Sequence, residues 1–210
     1  MKFPAGSSLY GILDLGYVAP SAAAGMARQM LAGGVEILQL RAKKIETGVI
    51  RETTLLLAPI CRAAGVPLIL NDHPDLVAET GADGVHVGQD DLPVAEVRAI
   101  VGPDAIVGLS THSLAQAEAA VASAPDYIGF GPLFATPTKP DYVPIGLSDI
   151  AEAHRLVALP IFCIGGIKCE NLDAVLAAGA RRAVIVSGIL QADDVAGYCR
   201  ECRSKLAAVA

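Results

Sequence analysis

Tryptophan is absent from the 210 residues, and aromatic residues make up only 4% of the chain. Grooves that hold single-stranded nucleic acid stack bases on aromatic rings beside basic side chains. Here rings are few, no run of Lys or Arg occurs, and 16 basic against 22 acidic residues leave a net charge of −6. That balance argues against a surface tracking a phosphate backbone. An anionic partner must therefore be a small molecule held locally. Long apolar runs are missing too: although 53% of residues are hydrophobic, none of the runs approaches the roughly 20 residues a membrane-spanning helix needs. Met1-Lys2-Phe3-Pro4 leads into no long apolar stretch, so no secretory signal is expected. The high hydrophobic content excludes a disordered chain, and the lack of a glycine period excludes collagen.

Cysteine is present, but in a pattern that points away from disulfides. Five residues (Cys61, Cys163, Cys169, Cys199, Cys202), an odd number without a signal, imply free thiols in a reducing cytoplasm. Cys199-x-x-Cys202 has the spacing of a redox or metal half-site. Yet Val195, Cys199, Cys202, Leu206 and Val209 fall on one helical stripe, and no second ligand pair accompanies them. Buried structural thiols are expected.

What the chain does contain is a rhythm. Short aliphatic runs are expected as strands at Leu9–Asp14, Glu36–Arg41, Leu68–Asn71, Gly84–Val87, Ala105–Ser110, Tyr127–Phe130, Ile161–Ile164 and Arg182–Ser187. Segments of helical period separate them, with Ser21 expected to cap the first and Gly65-Val66-Pro67 to stop the second. Other helical stripes are Ile50/Thr54/Leu57/Cys61/Ala64, Val94/Val97/Val101, Leu114/Ala117/Val121 and Leu172/Val175/Leu176. Continuous apolar strands, each followed by a helix, indicate a parallel sheet covered by helices. Repeated eight times, the pattern specifies an α/β fold of a single (β/α)8 TIM barrel over residues 1–210, compact beside the usual size of about 250 residues. An open doubly-wound sheet is the rival, but Gly129-Phe-Gly131 lacks the third glycine of the dinucleotide fingerprint and no Walker A pattern occurs.

In such a barrel chemistry collects at the C-terminal ends of the strands. These ends read Gln39-Leu-Arg41 with Lys43 beyond, Asn71-Asp72, His86-Val-Gly-Gln-Asp-Asp91, Ser110-Thr-His112, Gly129-Phe-Gly131 opening into Thr136-Pro-Thr138-Lys139, Gly165-Gly166, and Val186-Ser187-Gly188. Connections at the opposite pole, such as Ala32-Gly33-Gly34 and Thr80-Gly81-Ala82, are plain turns. Two anion sites follow. The glycine turns after the seventh and eighth strands stand where barrels commonly hold a phosphate on backbone N–H groups. Arg41, Lys43 and Lys139 offer cations for a second, more highly charged group. Asp72 and Asp91 lie among them; carboxylates beside a polyanion require a hard divalent cation such as Mg²⁺ between them, unless each merely pairs with a lysine. His86, inside the fourth strand, is expected to be a hydrogen-bonded interior residue, and His112 to stand at the rim. No nucleophile elbow or Ser/His/Asp arrangement is present.

Taken in order and spacing, Gln39-Leu-Arg-Ala-Lys43, Asn71-Asp72, Gly84-Val-His-Val-Gly-Gln-Asp-Asp91, Ser110-Thr-His112, Gly129 to Lys139, Ile164-Gly-Gly-Ile167 and Val186-Ser187 resemble the thiamine-phosphate synthase family. The likeness runs from Leu9 to about Leu190. It implies a Mg²⁺-dependent transferase joining 4-amino-2-methyl-5-hydroxymethylpyrimidine diphosphate to 4-methyl-5-(2-hydroxyethyl)thiazole phosphate with release of pyrophosphate. It also implies that Gln39, Arg41, Lys43, Asn71, Ser110 and Lys139 hold the pyrimidine diphosphate, with Arg41, Lys43 and Lys139 serving catalysis. Asp72 and Asp91 are implied as metal ligands, and Thr136, Thr138, Gly166, Val186 and Ser187 as holding the thiazole phosphate. Two positions depart from the family pattern: the first strand lacks a threonine before Asp14, leaving the role of that residue open, and Ser187-Gly188 replaces Ser-Ala. Two other functions fit the barrel. A thiazole tautomerase would act on thiazole phosphate through His112 without metal or pyrimidine, and a non-catalytic barrel would bind thiamine phosphate and release no pyrophosphate. The cation-plus-carboxylate set favours the synthase over both.

Overall fold

Strands that are apolar on both faces must be covered on both, and a parallel sheet achieves this by closing on itself inside a ring of helices. In the computed structural model, which describes residues 3–4, 6–136 and 143–209, the strands are β1 (Leu9–Asp14), β2 (Ile37–Arg41), β3 (Leu68–Asn71), β4 (Gly84–Val87), β5 (Ile106–Thr111), β6 (Tyr127–Phe130), β7 (Ile161–Cys163) and β8 (Ala183–Ile185). Between and after them run α1 (Ala23–Ala32), α2 (Thr47–Ala63), α3 (Val77–Thr80), α4 (Val94–Val101), α5 (Leu114–Ser123), α6 (Ile150–Leu156), α7 (Cys169–Ala177), α8 (Ser187–Leu190) and α9 (Val195–Ala207). Every neighbouring pair is parallel in chain order, and β8 pairs back with β1 to close the barrel. Tyr10 thus lies beside Ile37 on one side and Val184 on the other. The (β/α)8 expectation holds, with strand bounds within a residue or two of those read from the sequence. Among the described residues no helix is long and apolar enough to cross a membrane.

Alternation along each strand divides the core into two shells. Outward residues such as Leu9, Leu38, Leu70, Val85 and Val107 pack beneath the helices. Inward residues Tyr10, Ile12, Ile37, Ile69, Ile106, Tyr127, Phe162 and Val184 fill the barrel itself. Tyr127 is surrounded by the rings of Tyr10, Phe162 and Phe3. Such bulk fits because β5 carries Gly108 opposite it: a Cβ there would collide with the Tyr127 ring and with His86 Nδ1. A mid-strand glycine marks a close approach, and this one makes room for the interior aromatics.

All five cysteines are free and buried. Burial pushes the Cys61, Cys163 and Cys199 thiols up to about 12, which suppresses the reactive thiolate. Cys199 and Cys202 lie on the buried face of α9 with Val195 and Leu206, as the stripe implies. Val209, beyond the end of that helix, is exposed instead. Two further local expectations are corrected. Ser21 does not cap α1, because Pro20 starts a 3₁₀ turn at Pro20–Ala22 and α1 begins only afterwards, with Ala22 at its N-cap. In α5 the buried stripe is Ala117 and Ala120, while Val121 faces solvent.

Gly108→Ala is expected to lower the unfolding free energy by about 1–3 kcal/mol through overpacking. Gly25→Ala, in α1 with nothing within 4 Å of the added carbon, is expected to raise it by up to about 1 kcal/mol. Urea unfolding of both variants checks the contrast; equal effects would contradict this packing.

Candidate active site

Closing a parallel barrel brings all C-terminal strand ends to one mouth. A pocket opens there, lined by Gln39 and Arg41 from β2, Asn71 from β3, His86 from β4, Ser110 from β5, and Thr136, Gly166, Val186 and Ser187 from the loops beyond β6, β7 and β8. Eight of the residues singled out from sequence therefore face one cavity: Gln39, Arg41, Asn71, Ser110, Thr136, Gly166, Val186 and Ser187. His112 lines it as well, its Nδ1 hydrogen-bonded to the Gly131 carbonyl, so the rim expectation holds. His86 is the interior hydrogen-bonded residue expected, contacting Ser110 and Tyr127. Thr138 and Lys139 lie outside the described residues.

One wall of the pocket is built from backbone. Gly165 and Gly166 take φ of +98° and +67° in succession, conformations that side-chain-bearing residues rarely adopt. A Cβ on Gly165 would strike Pro132, and one on Gly166 would come within 2.7 Å of the Phe134 Cβ. The turn is held by Asn171, whose Nδ2 donates to the Gly166 carbonyl at 3.0 Å and whose Oδ1 accepts the Lys168 N–H at 2.8 Å. Successive backbone N–H groups in such a turn make a concavity suited to an anion. Ser187, which opens α8 one residue past the end of β8, lines the same pocket as this turn.

The charged residues form a second cluster at the ends of β2, β3 and β4. Asp72 follows β3 with φ of +64°, a left-handed conformation that Asp tolerates better than most residues. Its N–H donates to the His86 carbonyl at 2.9 Å, and its carboxylate is ion-paired with Lys43. Asp91 lies near enough for its charge to act on Asp72, while one of its own oxygens accepts the Gly88 N–H at 2.7 Å. Burial first, and the Asp91 charge with it, raise the Asp72 carboxyl above its ordinary value against the pull of Lys43. Of the two sequence alternatives, the lysine pairing is present for Asp72, which also feels a second carboxylate. An all-oxygen pair whose mutual repulsion one lysine leaves uncancelled suits a hard divalent cation, which takes one or two carboxylates and completes its shell with phosphate and water.

Arg41 has a partner that its sequence context does not indicate. Its guanidinium pairs with Asp14 at the end of β1, in a bridge whose side chains are 12% and 3% exposed. Asp14 Oδ1 also accepts the Gly16 N–H at 2.8 Å. This gives Asp14 the role that its sequence context left open. Tyr10 and Tyr127 also line the pocket, though their sequence context gives them no role; Gln89 braces its edge, its Nε2 donating to the Ser110 carbonyl at 2.6 Å. The sequence signal available for the two tyrosines is their inward parity in β1 and β6, with Tyr127 opposite a glycine in β5.

Removing one member of a buried ion pair leaves an uncompensated charge. Asp14→Ala is therefore expected to cost about 3–5 kcal/mol of stability, with most of the loss recovered in an Asp14→Leu/Arg41→Met double variant. Chemical denaturation measures both, and an unchanged midpoint in Asp14→Ala would contradict the pairing.

Comparison with known proteins accords with this geometry. Residues 9–189 match the family described as thiamine monophosphate synthase. A thiamine-phosphate synthase of Chloroflexus aurantiacus is 41% identical over 93% of this chain and 91% of its own. That of Halalkalibacterium halodurans is 42% identical over 81% and 82%. Among solved structures, thiamine phosphate pyrophosphorylase from Pyrococcus furiosus superimposes with a TM-score of 0.88 at 29% identity, covering 97% of each chain. With the motif order, the barrel and these relatives in agreement, the chain belongs to the thiamine monophosphate synthase family.

Proposed function

We propose that this chain condenses 4-amino-2-methyl-5-hydroxymethylpyrimidine diphosphate with 4-methyl-5-(2-hydroxyethyl)thiazole phosphate by Mg²⁺-assisted dissociative loss of the diphosphate. The observation that carries the mechanism is the Asp72–Asp91 pair beside Lys43, just past the strand ends whose Arg41 and Asn71 line the pocket, although none of Lys43, Asp72 and Asp91 lines it. Asp72 and Asp91 would hold the metal, which supplies neutralisation of the charge that builds on the departing diphosphate. Arg41, Lys43 and Lys139 would bind the same group, and Asp14 keeps the Arg41 fork from swinging away. Gln39, Asn71 and Ser110 would hold the pyrimidine. Thr136, Thr138, the Gly166 turn and the Val186–Ser187 backbone would hold the thiazole phosphate.

Chemically, the C–O bond to the diphosphate breaks and its electron pair leaves with the phosphate oxygen. The exocyclic carbon is left as a cation delocalised over the electron-rich aminopyrimidine. The thiazole nitrogen then donates its lone pair to form the C–N bond. That nitrogen carries no proton, so no general base is needed, and the Ser110–His86 contact in the pocket has no proton to abstract in this reaction. Catalysis falls to positioning the two partners and excluding water, since a held nitrogen captures the cation before solvent does. We place the reaction in the cytoplasm, where five reduced thiols persist.

Incubation with both phosphorylated precursors and Mg²⁺ is expected to release pyrophosphate stoichiometrically with thiamine phosphate. Thiazole phosphate alone is expected to stay unconverted; its isomerisation would favour the tautomerase, and product binding without pyrophosphate the non-catalytic barrel. Asp91→Ala is expected to lose at least about a hundredfold in turnover with the fold retained. Full turnover after chelation of Mg²⁺ would remove the metal from the account.

A further inference from the structure

Below the pocket an unbroken line of polar groups crosses the barrel from β5 to β2. Ser110 Oγ meets His86 Nε2 at 2.9 Å, and His86 Nδ1 meets the Tyr127 hydroxyl at 3.0 Å. That hydroxyl meets the Tyr10 hydroxyl at 2.9 Å, which in turn accepts the Gln39 Nε2–H at 2.8 Å. Tyr10 and Tyr127 are each 1% exposed, so the line runs through the apolar interior. Its two ends, Gln39 and Ser110, both face the pocket.

Proton counting gives the line a direction. A carboxamide nitrogen only donates, a hydroxyl has one proton to give, and an unprotonated ring nitrogen only accepts. Tyr10 accepts from Gln39, so its own proton goes to Tyr127. Tyr127, having accepted, gives its proton to His86 Nδ1. An imidazole accepting at Nδ1 is neutral with its proton on Nε2, and it donates to Ser110 Oγ. Ser110 is left with a proton to give into the pocket, and Gln39 is left with Oε1 to accept from it. Burial raises both phenols far above their ordinary value, so each retains the proton this order needs.

We propose that Tyr10, Tyr127 and His86 are positioning residues whose relay presents Ser110 as a donor and Gln39 as an acceptor, selecting an aminopyrimidine over its oxo counterpart. This rests on the reading above that Gln39 and Ser110 hold the pyrimidine. An aminopyrimidine offers ring nitrogens that accept and an amino group that donates, the complement of those two ends. Turning the Gln39 carboxamide over reverses every bond along the line and would present the opposite pair. All five groups line the pocket, but the two tyrosines are almost wholly buried, so their hydroxyls depend on each other and on this line for partners, and the two ends are not independent.

The direct test is the ring ¹⁵N spectrum of the labelled protein without substrate, with the His86 signals assigned by their loss in His86→Asn. The Nε2–H tautomer is expected at neutral pH; the Nδ1–H tautomer or an imidazolium would overturn the proposal. Since no substrate is present, this readout stands even if the chain releases no pyrophosphate. Kinetics supply the second arm. Tyr127→Phe keeps the ring and removes the link, and is expected to lower kcat/KM for the pyrimidine diphosphate about tenfold. KM for the thiazole phosphate is expected to be unchanged, and the preference for amino over oxo pyrimidine to fall. In a Ser110→Ala background the same substitution is expected to add little further loss. Tyr10→Phe, with the same expected pattern, serves should Tyr127→Phe unfold; an unaltered amino-over-oxo preference in both folded variants would sink the idea.

Discussion

Closure of eight parallel strands constrains everything else in this molecule. Parallel strands end on the same side, so a chain that places its polar residues at strand ends and its aliphatic residues within them must assemble a polar mouth over an apolar interior. Side chains from β2, β3, β4 and β5, far apart in sequence, become neighbours there. Like charges are brought near each other as well: Asp91 acts on Asp72 although the two lie 19 positions apart in the chain.

The mouth is organised in three tiers with different electrostatic tasks. Outermost is the charged cluster of Lys43, Asp72 and Asp91, partly open to solvent and suited to a highly charged, hydrated group. Next come Arg41, fixed by Asp14, and the left-handed Gly165–Gly166 turn, which present donors that hardly reorganise when an anion arrives. Deepest is the line from Ser110 through His86, Tyr127 and Tyr10 to Gln39, where burial makes each hydrogen bond costly to break. Placing rigidity beneath and charge above suits a reaction in which a leaving group departs outward while an aromatic ring stays fixed.

Much of this was legible in the sequence because barrel geometry depends on short-range signals. Aliphatic runs fixed the strands, and the parity of Gln39 with Arg41 placed both side chains in the pocket, as did the position of Asn71, Ser110 and Gly166 at strand ends. The Ser21 cap was misread because Pro20 initiates a tighter turn first, and Val209 because α9 stops before its stripe completes. The role of Asp14 was not legible: only pairing of β1 with β2 reveals that Asp14 stands beside Arg41. Nor was the buried relay, since Tyr10 and Tyr127 read as ordinary strand aromatics until the barrel closes, brings their hydroxyls together and sets Tyr127 against the bare Gly108. Local patterns encode where residues point; long-range partners emerge only with closure.

The central claim is that the Asp72–Asp91 pair binds a diphosphate through a divalent cation. Calorimetric titration of pyrophosphate into the protein, with Mg²⁺ and with the metal chelated, addresses it most directly. Binding that requires Mg²⁺, and loses that requirement together with its affinity when both aspartates become asparagine, is the expected result. Equal affinity with and without the metal would contradict the account.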